Sequence, residues 1–157
     1  MVTAITMYTL STAIHVVFAV SFLGAGAAFG VIGPMSGKMP EHGLFALKVI
    51  KEVDEKLIFP GMLVVWGTGI YQTADGGFEG GDLWLSISVV LFAAITLLTI
   101  FVLYPAVKLA IAELEGKTEP GPPSEKAQKS IKKLGTFGPM IGISMMVITF
   151  LMVAQPF

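Results

Sequence analysis

The sequence predicts an all-α fold, a bundle of four transmembrane helices. Three observations carry this. Mean hydropathy is +0.80, and 13% of the 157 residues are charged, against about a quarter in soluble domains. Four apolar runs are each long enough to cross a hydrocarbon core, which takes about 20 helical residues. None alternates with the two-residue period of a membrane strand, so each must satisfy its backbone as a helix. The reading is a single integral membrane domain over residues 1–157.

The first span runs near Thr6 to Ile32. It has no basic n-region and is too long for an h-region, so it reads as a span rather than a cleaved leader. The second runs near Leu57 to Thr73. Ahead of it, Leu44, Leu47, Ile50, Val53 and Leu57 recur at helical spacing with charges between them. Residues 41–56 therefore read as an interfacial helix or an extension of the second span. Pro60-Gly61 is expected to kink or restart that helix. The third span runs near Leu83 to Leu109, and the fourth near Leu134 to Ala154. Between them Gly116 to Ser124 is a Pro/Gly-rich loop. Ser124 is placed to cap a short Lys-rich helix leading into the fourth span.

Charge placement orients the bundle. Lys38, Lys48, Lys51 and Lys56 lie between the first two spans. Lys117, Lys126, Lys129, Lys132 and Lys133 lie between the last two, with Lys108 at the edge. Both tails and the link Ala74 to Asp82 carry no Lys. The positive-inside rule then predicts a multi-pass protein of the cell membrane with both termini outside and the two Lys-rich links in the cytoplasm.

Composition narrows the chemistry. The absence of Cys excludes disulfides, thiolate haem ligation and cysteine-held iron–sulfur clusters. The absence of Arg removes any bidentate guanidinium clamp. A net charge of −1 with scattered Lys gives no case for nucleic acid. No phosphate loop, HExxH motif or nucleophile elbow is present. Asp75, Glu79 and Asp82 lack EF-hand spacing and read as a solvated turn.

A faint 2+2 parallel repeat is legible. Gly33-Pro34 and Tyr104-Pro105 close the first and third spans, while Pro60-Gly61 and Gly138-Pro139 open the second and fourth. The gathering of Pro and Gly at helix ends accounts for the same pattern. Gly26 with Gly30, and Gly138 with Gly142, form small-xxx-small steps expected at helix–helix contacts, within the bundle or between subunits. Trp84 reads as an interface anchor.

The one ionisable side chain inside an apolar run is His15, and such a group by default marks a site with a partner. At about 1.5 Å of rise per residue, it sits about a third to halfway in from the outer side. Trp66, Gly69, Tyr71, Phe92, Met145, Met146 and Thr149 are available at that depth on the other spans. An imidazole there suits haem iron, copper, a quinone carbonyl, or a structural hydrogen bond to Thr149 or a backbone carbonyl. His42, the other histidine, falls on the cytoplasmic side, so one chain cannot supply two axial histidines. The nine Met suit Cu(I) but equally suit gap-filling. No span carries a carboxylate or lysine for a proton relay.

The run Leu10-Ser11-Thr12-Ala13-Ile14-His15-Val16-Val17-Phe18, followed by the small-residue patch, resembles a group of small bacterial membrane proteins. The group includes the copper-resistance D family, the four-helix haem-containing membrane protoporphyrinogen oxidases, and integral-membrane families of unknown role. Pro60-Gly61, Trp66-Gly67-Thr68-Gly69-Ile70-Tyr71 and Trp84 resemble the unknown-role families in particular. The resemblance implies b-type haem bound through a histidine early in the first span, a role that only His15 can carry. The oxidases also use basic residues near the membrane; this chain has no Arg and no Lys within a span, which leaves enzymatic activity open. The expected function is membrane haem binding through His15, for electron transfer or within a redox assembly, as a homo-oligomer or part of a larger complex. The alternatives are a cofactor-free accessory subunit and, third, copper handling.

Overall fold

The computed structural model describes residues 6–76, 82–116 and 122–156. Among them the all-α reading is borne out. There are four helices long and apolar enough to cross a membrane: α1 (Met7–Lys38), α2 (Gly43–Asp75), α3 (Leu83–Glu115) and α4 (Glu125–Ala154). A 3-10 turn, Pro40–His42, joins α1 to α2. The tips of the other two links, 77–81 with Glu79 and 117–121 with Lys117, lie outside the described residues.

Local signals start the helices. Thr6 accepts a hydrogen bond from the Thr9 amide at the head of α1. Ser124 accepts one from the Ala127 amide at the head of α4. Each oxygen satisfies an amide that the first helical turn leaves unpaired. Ser124 heads one unbroken 30-residue helix rather than a short helix before a span.

Residues 43–56 extend the second span directly. The Pro60 kink takes the form of a π turn, Asp54–Ile58, closed by the Phe59 amide on the Asp54 carbonyl. The third helix repeats the device: a π turn at Thr99–Leu103, closed by the Tyr104 amide on the Thr99 carbonyl, precedes Pro105. One inserted residue moves the backbone so that the proline ring escapes the carbonyl it would otherwise strike. The two aromatic–proline steps meet, with the Phe59 and Tyr104 rings edge to face at 4.9 Å.

Two apolar clusters hold the bundle. One joins Phe22, Ile58, Met62, Val65, Phe92, Ile95, Met145 and Ile148 from all four helices. The other, at the Lys-rich end, joins Leu47 to Val107, Ala110 and Ile111. Trp66 crosses from α2 to α3, its ring 5.2 Å from that of Phe92. Helix α1 is peripheral, since Phe22 is its one buried residue.

The glycines sort themselves by this packing. A Cβ built on Gly61 would lie 2.7 Å from Phe22 and 2.8 Å from Phe18. Gly61 therefore sets the closest approach of α1 and α2. A Cβ on Gly26, Gly30, Gly138 or Gly142 meets nothing within 4 Å. The expected contacts at those four are not made within the chain, because the small-residue faces of α1 and α4 turn away from the core. Trp84 also departs from expectation. It is 5% exposed and packs into the bundle at the start of α3 instead of anchoring at a lipid interface.

Candidate functional site

Hydroxyl groups in these helices turn inward on their own backbones. Thr12 donates to the Tyr8 carbonyl, Ser88 to Trp84, Thr96 to Phe92 and Thr149 to Met145. In a medium without water each hydroxyl needs a local acceptor. Thr68 follows the rule, donating to the Val64 carbonyl at 2.7 Å.

That bond decides the chemistry of His15. The Thr68 proton is committed to Val64, so its oxygen is left as an acceptor. The imidazole Nδ1 lies 2.9 Å from it and therefore donates. The Val65 carbonyl also lies beside the ring, and a proton on Nδ1 would leave the Nε2 lone pair as the acceptor. The partner of His15 is thus Thr68 on α2. Thr149, the hydroxyl expected from depth, is occupied with Met145. A Cβ on Gly69 would stand 3.5 Å from the imidazole Cε1, in ordinary contact, so the ring lies beside this turn of α2. One turn further out, Gln72 donates to the Thr68 carbonyl at 3.0 Å and reaches toward Ser11 at 3.5 Å. Thr68 and Gln72 escaped the sequence reading because Thr and Gln are ordinary in a helix, and nothing in one sequence says which face of α2 meets His15.

The other residues considered for the site do not converge on it. His42 is exposed in the 3-10 turn, its Nε2 3.9 Å from Glu41. Met146 is exposed, whereas Met145 is buried in the core cluster. No group of three or more His, Cys, Asp or Glu side chains among the described residues has the placement to hold a metal ion.

A second polar constellation lies at the Lys-rich end. Tyr104 donates to Glu55 Oε1 at 2.5 Å, and Lys51 donates to Glu55 Oε2 at 3.0 Å. The Lys108 ammonium stands 5.5 Å from the Tyr104 ring centre. Lys48 pairs with Glu115 across α2 and α3 at 2.6 Å. Beside Glu55, Asp54 is 6% exposed, and among the described residues no side-chain hydrogen bond reaches its carboxyl. Both acids lie in the charged stretch 43–56, outside the apolar run 57–73. The Tyr104 hydroxyl and then Lys51 hold Glu55 below the usual carboxylate range. Burial, reinforced by the Glu55 charge, pushes Asp54 up to about 7. Residues 41–56 read from sequence as an interfacial helix or an extension of the second span, with no role singled out for Asp54 or Glu55.

The family model described as a predicted integral membrane protein (DUF2269) matches residues 9–156. The chain belongs to that family, and it is a multi-pass membrane protein in contact with the lipid bilayer. No curated protein and no solved structure matches it.

Proposed function

We propose that this member of an integral-membrane family of unknown role binds b-type haem through His15, for electron transfer or as a subunit of a membrane redox assembly. One observation carries the reading. His15 Nδ1 lies 2.9 Å from the Thr68 oxygen, and an Nδ1–H donated there leaves Nε2 as the axial ligand this reading requires. Metal-binding histidines characteristically donate their second nitrogen to a fixed acceptor, which orients the ring and raises its basicity. The residues fit one axial ligand of a haem, and the chain offers no second histidine at that depth. Bound haem would supply a one-electron couple. Thr68 orients the imidazole, and Gly69 lies beside it. The proposed orientation has the Lys-rich end in the cytoplasm and both termini outside.

A second reading has its own support. Helix α1 leaves Val16, Val17, Val20 and Val31 exposed beside glycines that touch nothing in the chain. A cofactor-free accessory subunit would use this face against a larger partner or another copy.

Absorption spectroscopy decides between them. The protein, expressed with ample haem and purified in detergent, should show a Soret band that His15→Ala abolishes and Thr68→Val shifts. His42→Ala should leave the band unchanged. A colourless parent protein, with no copper by elemental analysis, would reject the cofactor and leave the accessory subunit.

A further inference from the structure

We propose that Asp54 is a proton-exchange site, a carboxyl at the Lys-rich end of the bundle that takes up a proton from water and returns it. This stands apart from any cofactor at His15, which contacts α2 at Thr68, toward the other end of that helix.

The geometry separates two adjacent acids. Asp54 falls on the interior stripe of α2 with Leu47 and Ile58, both buried. Glu55 falls on the next face and takes both nearby donors, Tyr104 and Lys51. One carboxylate is compensated and its neighbour is not. Environments that push two titratable groups apart in this way mark a permanent anion beside a group able to change its protonation. A buried carboxyl without a hydrogen bond favours its neutral form, and Asp54 titrates at about 7, where water on either side of a membrane can protonate or deprotonate it.

The carboxyl is not sealed. Asp54 keeps 6% of its surface exposed, and no side-chain oxygen among the described residues is both unpartnered and wholly enclosed. Uptake converts the Asp54 carboxylate and one hydronium ion into the carboxylic acid and water. The paired acids pass from two negative charges to one, and the Glu55 bonds stay in place. The ligand is a proton rather than a metal ion, because among the described residues no third acid or histidine joins the pair.

The charges around Asp54 are accounted for on each packed element. On its own helix they are Glu55 and Lys51, and on α3 they are Tyr104 and Lys108. The Glu55 charge acts on Asp54, Tyr104 is coupled to Asp54 in turn, and Lys51 and Lys108 act on Glu55.

Infrared difference spectroscopy of the full chain in lipid nanodiscs, titrated from acid to alkaline pH, reads the proposal directly. The parent should show a protonated-carboxyl stretch that disappears with a midpoint near neutrality and is missing in Asp54→Asn. Glu55→Gln should keep the band and move its midpoint toward acid, because the neighbouring charge is gone. The proposal is overturned by a parent whose carboxyl bands all vanish near the ordinary value of about 4, or by a neutral-pH band that survives Asp54→Asn. Should Asp54→Asn fail to fold, Glu55→Gln decides alone, and an unmoved midpoint overturns it.

Discussion

His15 and Asp54 are both polar groups carried by an apolar helix bundle, and the two are accommodated by opposite means. At His15 a chain of neutral donors closes on itself, imidazole to Thr68 hydroxyl to Val64 carbonyl. No charge is needed there. At the Lys-rich end the compensation is ionic, and it goes to Glu55 rather than Asp54. The His15 site thus rests on neutral hydrogen bonds, whereas the Lys-rich end sets a buried carboxyl beside a compensated one. The difference follows from depth. Neutral hydrogen bonds are the less costly solution far from water, and Lys and Glu are tolerated only where their charged ends reach the interface.

The largest expected effect tests the Lys-rich end by pH. Asp54 titrates near 3.8 ordinarily and near 7 in the fold. Between those values the native state binds one proton more than the unfolded state, so stability falls as pH rises through that window and levels off above it. At about 1.4 kcal/mol per unit, the loss is about 4 kcal/mol. Thermal unfolding in detergent should show the parent weakening from mildly acidic to neutral pH, and Asp54→Asn should flatten that decline. A parent that grows more stable over the same range would place Asp54 among ordinary exposed acids.

Next in size is a substitution between the two regions. Gly61→Val puts side-chain atoms where Phe18 and Phe22 already stand. Overpacking of this kind costs about 1–3 kcal/mol. Because Phe22 sits in the four-helix cluster, α1 should be levered from α2, which breaks the His15–Thr68 hydrogen bond as well. Detergent unfolding and a cysteine crosslink between α1 and α2 would register both effects. Unchanged stability would mean that the aromatic pair yields freely.

The smallest effect belongs to the His15–Thr68 pair. Thr68→Val removes the acceptor for His15 while keeping shape. Hydrogen bonds between membrane helices average about 0.6 kcal/mol, so folding should weaken by about that amount. The more telling readout is the imidazole tautomer by nitrogen NMR, fixed with Nδ1–H in the parent and mixed in the variant. A tautomer that remains fixed would show that another acceptor holds the ring.

The four spans and the two chemically distinct ends are legible in the order of residues. Twenty apolar residues in a row are a local property, lipid leaves the backbone no alternative to a helix, and every Lys falls in a link or at a span edge. The Ser124 cap is legible for the same reason, since it needs only the next three residues. Which faces are covered emerges only when the helices pack. Packing selects Gly61 over Gly26 and Gly30 as the close approach, Thr68 over Thr149 as the partner of His15, and burial for Trp84 and Asp54. In a soluble protein the polar face of a helix declares its outside. Here lipid is as apolar as the bundle interior, so periodicity shows which residues share a face without showing whether that face meets lipid or another helix.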